Sequence, residues 1–531
     1  MKHQSNLITM ERHNIGRRLI IATTLAMLLA RSVSPCSCSA AAIPEEPIRI
    51  GHESQFLFDL HVVDNYWAIH YKRQAVQRVF HQPTKHPANP VMKADSPSYT
   101  WVVRDEKAGV FRMYYQANVI IDGSGAKDSN QEVLPDAKGK TKGRKFRTFI
   151  AYAESPDGIK WTRPHLDHYP GRKPKPNNIV IAHSEHPMIE TCSPALLELP
   201  EKDRRGYKYT MLYRGKGRGA GTHGGIRAIS SKDGIRWDES SDTIVAHLHS
   251  DHPNTISYDP LRDEYVMYCR AKDIYRAWGD TMIDTGASRR VARMSSKTLF
   301  GDWMEHTRPQ TIIIPDEVDN QIHHNFYYGM PTVHRAGLYW GFLENFRMND
   351  FIYTELAFSR DGFQFQRLPL RPKLLEYGED GEWDDTMIFM SPAWVEVGDE
   401  WWFYYSGWDG PHGTPERNGA IGLATVRKEG LISLRGPKGG GVVATRRIIW
   451  PGGDLAVNAN ASGGTLTVRV SDSKRKPIEG FNHADCKVFS GDNTSHVIAW
   501  NGRSLNDLNG KEIRLEFHLK DADLYTFRAT R

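Results

Sequence analysis

One pattern recurs five times along these 531 residues and narrows what the chain can fold into. An alternating strand runs into S-x-D-G-Φ-x-W, as in FIAYAESPDGIKW (149–161), GIRAISSKDGIRW (225–237) and ELAFSRDGFQF (355–365). Weaker copies are VARMSSKTLFGDW (291–303) and IGLATVRKEGLISL (421–434). The turn glycines stand at 158, 234, 301, 362 and 430, at intervals of 76, 67, 61 and 68 residues. Ahead of each copy lies a hairpin of two apolar strands about a polar turn, at 98–116, 193–215, 253–270, 328–345 and 391–407. A four-stranded unit repeated at such intervals predicts a propeller blade with long loops. Glycine supplies positive φ at the corner and Asp caps the turn. Asp157, Asp233 and Asp361 therefore read as structural, and the Trp or Phe that follows each is expected to pack between blades.

The expected fold class is all-β: a five-bladed β-propeller over 43–435 followed by a C-terminal β-sandwich over 436–531. The segment GPKGGG (436–441) reads as a linker, and short strands such as DLAVNANA, TLTVRVSD, IRLEFHL and LYTFRA follow at the close spacing of a sandwich. At the other end, Arg17 and Arg18 precede the apolar run Leu19–Ala30 and a small-residue stretch from Ser34 to Ala42. This is the order of a secretory signal peptide. The run is shorter than the roughly 20 residues a membrane span needs. Residues 1–42 are thus expected to be removed, leaving a soluble protein, secreted or periplasmic in a bacterium, with no membrane attachment. A net charge of +6 implies no nucleic-acid partner. The basic loop KGKTKGRK (138–145) reads as solvated surface, or as a feature that attracts an anionic glycan. Of five cysteines, Cys36 and Cys38 leave with the signal. Cys192, Cys269 and Cys486 lack CxxC spacing, which argues against a cysteine zinc site and a disulfide framework and makes buried free thiols the default expectation.

Five blades followed by a β-sandwich resembles the glycoside-hydrolase groups that include invertase-like and arabinanase-like enzymes. The segment HQPTKHPANPV (81–91), the D-G-x-x-W turns and the ending GKEIRLEFHLKDADLYTFR (510–528) resemble secreted bacterial propeller proteins usually labelled uncharacterised glycosyl hydrolases. The resemblance implies a carbohydrate substrate. It does not carry catalytic residues over, because the chain lacks a WMNDPNG-type motif, an Arg-Asp-Pro triplet and a Glu-Cys pair.

Propeller geometry supplies candidates instead. The start of each innermost strand and the end of the next, antiparallel strand lie on the same face, so polar residues at both should converge on one funnel. Blade 1 offers Asp95 and Gln116; blade 2, Glu190 and Arg214; blade 3, Asp251, His252 and Arg270; blade 4, His324 and Glu344; blade 5, Asp384, Asp385 and Trp408. A lone Asp before a strand is more often a turn or cap residue, but five polar starts together favour a site. Glycoside hydrolysis needs one ionised carboxylate and one held protonated. Asp251 and Asp385 are the leading catalytic candidates, with Glu190 or Glu344 as proton donor; the resemblance would place a base at Asp95. Arg214, Arg270, His252, His324, Asp384, Trp408 and Gln116 are the expected substrate-binding groups. No cofactor is expected and no metal is required, although Asp-rich loops could hold structural Ca²⁺.

These features make a glycoside hydrolase the leading expectation, exo-acting on an oligo- or polysaccharide, with anionic algal or plant glycans among the candidates. Two alternatives stay open. One is a non-catalytic glycan-binding propeller. The other is a glycoside phosphorylase, with Arg214 and Arg270 receiving phosphate.

Overall fold

The computed structural model describes the chain except residues 1–45, 65–75, 121–131, 136–140, 171–176, 183–190, 217–223, 249, 251, 271–288, 322–323, 348 and 415–416. The expected signal peptide lies outside the described residues. The fold is all-β, and no helix among the described residues is long and apolar enough to cross a membrane.

The repeated turns show how the sequence builds each sheet. In three copies Ser155, Ser231 and Ser359 accept a hydrogen bond through Oγ from the amide of Gly158, Gly234 and Gly362, at 2.8, 2.9 and 3.0 Å. Oδ1 of Asp157, Asp233 and Asp361 accepts from the two amides beyond the glycine. The three glycines have φ of +74°, +80° and +74°, a region costly for any residue with a Cβ. Each glycine carbonyl then accepts from a tyrosine of the preceding sheet: Tyr404 for Gly158, Tyr114 for Gly234 and Tyr268 for Gly362, at 2.7, 2.9 and 2.9 Å. The same tyrosine rings meet Trp161, Trp237 and Phe365 edge-on. The aromatic residue after each turn thus packs between sheets, as the pattern predicts.

The weaker copies are built differently. Gly301 has φ +110°, and the next residue, Asp302, caps a short 3₁₀ turn by accepting from the Met304 amide. Near Gly430 the left-handed conformation falls on Glu429.

The five repeats give five sheet units, the fourth and fifth joined into one nine-stranded sheet by the pairing of Ile352 with Met387. The first holds Ser98–Asp105, Val110–Ile120 and Thr141–Ser155, with Glu132–Pro135 and Ile179–Ile181 both paired to the last of these. The second is Cys192–Leu197, Tyr209–Lys216, Gly224–Ser231 and Trp237–Ala246. The third is Thr255–Asp259, Glu264–Arg270, Val291–Ser296 and Gln310–Ile313. The fourth comprises Thr332–Arg335, Leu338–Arg347, Ile352–Ser359 and Gln366–Arg367, and His324–Gly329 pairs with the far half of Leu338–Arg347. The fifth takes Met387–Val397, Glu400–Trp408 and Gly419–Arg427, and its fourth strand is Thr84–Lys85 from the N-terminal side. Innermost strands touch in succession: Ser98–Asp105 meets Cys192–Leu197, which meets Thr255–Asp259, then Thr332–Arg335, then Met387–Val397, which also meets Ser98–Asp105.

Two further sheets follow. Glu512–Lys520 pairs with Gly441–Ala444, Ile448–Ile449 and Thr465–Ser471. Ala522–Ala529 pairs with Gln55–Phe56, Ile432–Gly436 and Leu455–Asn460. Trp450, Trp500, Phe517 and Phe527 are buried there. Cys192, Cys269 and Cys486 are buried thiols.

Candidate active site

Strand register puts the chosen starts and ends at one edge. Ser98 lies opposite Gln116, Cys192 opposite Arg214, Thr255 opposite Tyr268 and Met387 opposite Trp408. In the fourth sheet Gly329 lies opposite Glu344. At this edge a narrow cavity is lined by Tyr99, Pro194, Pro253, Glu344, Phe389 and Ser391, among others, so all five sheets contribute to one place.

Glu344 is the carboxyl group in that lining. It is 1% exposed, and both its carboxyl oxygens are buried with no hydrogen-bond partner among the described residues. Removal from water pushes its carboxyl up to about 8, against the opposing pull of Arg270 and Arg289. The group is therefore protonated at neutral pH. Arg270 ends the Glu264–Arg270 strand; its Nε donates to the Tyr328 carbonyl at 3.0 Å, and its guanidinium lies 4.6 Å from the Tyr328 ring. Arg289 lies 4.6 Å from the same ring and 5.0 Å from Phe346. The Tyr328 hydroxyl and His412 Nε2 are hydrogen-bonded at 3.2 Å. His252 is fully buried against the Gly329 backbone, where any Cβ would overlap its imidazole. Trp408 packs with Tyr328 and Phe389, and the Arg417 guanidinium stands 5.0 Å from its ring.

Of the sequence-chosen residues, then, Glu344, Arg270, His252 and Trp408 gather around Tyr328. Others hold other partners. Asp384 receives Lys85 Nζ at 2.7 Å and the Tyr405 hydroxyl at 2.9 Å, fastening the N-terminal strand to the fifth sheet. Asp385 accepts from the Gly381 amide at 2.9 Å. Asp95 is ion-paired to Arg163, and burial raises its pKa despite that arginine. Gln116 bridges the first two sheets, donating to Asn118 at 2.7 Å and accepting from the Ser193 amide at 3.2 Å. Arg214 is half-buried at its strand end. Asp251 and Glu190 lie outside the described residues, as does the side chain of His324. Among the described residues no group of three or more His, Cys, Asp or Glu is arranged to hold a metal.

Sequence reasoning missed Arg289, Tyr328, His412 and Arg417. Two of them had a readable signal. The third strand of a blade runs antiparallel to the second, so its start also lies on the funnel face; Arg289 precedes Val291–Ser296 and Arg417 precedes Gly419–Arg427.

No protein-family profile matches the sequence, and neither does any curated protein. Among solved structures, the chain is similar to an N-acetylgalactosamine deacetylase from F. plautii in complex with blood group B trisaccharide, at 14% identity and TM-score 0.42, over 66% of this chain and 95% of that one. It is similar to a beta-1,2-mannobiose phosphorylase from Listeria innocua, at 11% identity and TM-score 0.41, over 65% and 96%. A thermostable family-43 glycoside hydrolase aligns at 13% identity and TM-score 0.37, over 67% and 96%. The structural neighbours are propeller glycoside hydrolases, phosphorylases and related carbohydrate-active enzymes, all at low sequence identity.

Proposed function

We propose that this protein is an exported glycoside hydrolase, a closed five-bladed β-propeller with a C-terminal β-sandwich beginning near residue 436, in which Glu344 is the general acid. The succession of innermost strands that returns to its starting strand supports closure. The observation that carries the chemistry is a carboxyl held protonated where all five sheets meet. Such a group can donate its proton to a departing glycosidic oxygen. Arg270 and Arg289 then stabilise the carboxylate left behind, which keeps proton return from being too favourable. The ionised partner in this reading is Asp251, next in sequence to His252.

The test is hydrolysis of a broad oligosaccharide panel, uronate and sulfated types included, by the purified protein and by Glu344→Gln. Loss of a general acid should lower kcat by about 10²–10⁴-fold. Cleavage by the variant at the wild-type rate, or no cleavage of any panel member by the wild type, rejects the reading. A second reading, a glycoside phosphorylase, is favoured by the two arginines beside Glu344. Strict dependence of turnover on inorganic phosphate would decide for it.

A further inference from the structure

The space between the innermost strands has a second mouth. On the first strand the cavity beside Glu344 takes residues 99–101, and a larger cavity reaches from Trp101 to Glu106. On the fifth strand the two divide in the same way, at 389–392 and 392–396. Trp101 and Pro392 line both and stand between them. The larger cavity, about 430 Å³, is thus lined by the far ends of the innermost strands, away from Glu344. It adjoins a side chamber of about 590 Å³ at the first and second sheets, and the two share Trp101, Val103, Arg104, Glu106, Leu196 and Glu198. Ligand cavities run from about 300 to 1,000 Å³.

Most charges on this lining are answered within the protein. Arg104 pairs with Glu106 and Arg335 with Glu396, each at 3.3 Å, and Lys208 pairs with Asp105 at 3.1 Å. Lys107 and Arg204 line only the side chamber. Two polar groups on the shared wall are not answered. Glu198 is exposed, and its carboxylate has no hydrogen-bond or ion-pair partner among the described residues. Trp101 is 8% exposed, and its indole N–H has no hydrogen-bond partner among them either. The indole nitrogen of Trp394 is sealed from solvent, and that of Trp101 is not. A carboxylate only accepts and an indole N–H only donates. An anionic ligand suits Trp101 and is repelled by Glu198; an ammonium does the reverse; an apolar ligand leaves both unanswered. A hydroxyl both donates and accepts, so a neutral ligand rich in hydroxyls answers both.

We propose that the far mouth is a second carbohydrate-binding site, separate from the one that holds Glu344, and that Glu198 and Trp101 are its recognising groups for a neutral oligosaccharide. The site requires no cleavage and stands independently of the hydrolase reading. Glu198 carries the test, because Trp101 also borders the cavity beside Glu344.

The experiment is calorimetric titration of the full chain carrying Glu344→Gln, so that general-acid turnover does not consume the probe. The neutral probes are galactan, xylan and mannan fragments of equal length. An oligogalacturonate of that length is the acidic probe, and a glycine–serine peptide offers amides in place of sugar hydroxyls. At least one neutral probe should bind, with an affinity that added salt leaves unchanged. Adding Glu198→Ala should weaken that binding by about 10- to 100-fold, the range for a lost hydrogen bond to a charged group. Glu198→Gln, which keeps an acceptor and loses the charge, should fall between. Trp101→Phe should weaken it by about 2- to 10-fold, the range for a neutral hydrogen bond. Binding of no neutral probe, or preference for the acidic probe or the peptide, overturns the proposal. So does unchanged neutral binding by Glu198→Ala; if that variant melts below its parent, Glu198→Gln decides in the same way. Hydrolysis is scored separately, on the chain with Glu344 intact. A neutral probe that binds through Glu198 while no glycan is ever cleaved sinks the hydrolase reading and leaves this site standing. Cleavage without any binding that depends on Glu198 does the reverse.

Discussion

Glu344 sets its own pH signature. Its carboxyl is pushed up to about 8 in the folded chain, from an ordinary 4.5, because burial disfavours the charged form. The folded state therefore holds a proton that the unfolded chain releases. The stability from that proton is fully present below pH 4.5 and is lost as pH rises through about 8. Glu355, also buried, is raised to about 6 and acts with the same sign, but its contribution is spent by then. Histidines lowered by burial, among them His61, His81 and His334, act with the opposite sign in this range, so the share of Glu344 is read from the difference between the wild type and Glu344→Gln from pH 6 to 8. In scanning calorimetry at pH 6 and pH 8.5, the melting temperature of the wild type should drop relative to that of Glu344→Gln as pH rises, and an unchanged difference would refute the assignment. If Glu344 is the acid, kcat should also decline above about pH 8, with no such limb in the variant.

Among the elements, the turn and the tyrosine that clasps it form one unit. Gly234 needs its conformation twice over: φ is +80°, and a Cβ would stand 2.5 Å from the Tyr114 hydroxyl. Gly234→Ala should destabilise the protein by about 1–3 kcal/mol, through backbone strain and loss of the clasp. Tyr114→Phe removes only the hydrogen bond to the Gly234 carbonyl and should cost about 1 kcal/mol. Urea denaturation midpoints measure both, and equal effects would show that the glycine matters only through the hydrogen bond. The pattern S-x-D-G-x-x-W made the turns and the role of the aromatic residue legible, because those interactions are local. The tyrosine partners were hidden, since Tyr404 clasps Gly158 from 246 residues away in sequence.

For the molecule as a whole, a strand from the N-terminal side joins the fifth sheet. Thr84–Lys85 completes the fifth sheet, and Lys85 reaches Asp384, which is almost fully buried. Removing the lysine leaves a buried carboxylate without its cation. Lys85→Met should therefore cost roughly 2 kcal/mol, read from the denaturation midpoint, with KM for any hydrolysed substrate unchanged. A selective change in KM would instead return Asp384 to the substrate-binding role that its position before a strand suggested. Nothing about the Asp384 sequence context announced Lys85 or Tyr405, because both partners come from other strands.

The amino-acid sequence by itself determined the repeat, the five strand groups, four of the five corners where glycine takes positive φ and the edge on which the candidate site residues fall. These follow from period-two alternation and turn chemistry, which act over a few residues. It also put Glu344, Arg270, His252 and Trp408 among the candidates. Only the tertiary structure decided which polar starts face one another. Glu344 is raised because five sheets exclude water around it, whereas Asp384, Asp95 and Gln116 meet cations or amides from neighbouring strands and are held there. Burial and long-range pairing set a carboxyl's chemistry, and neither is written in the residues beside it.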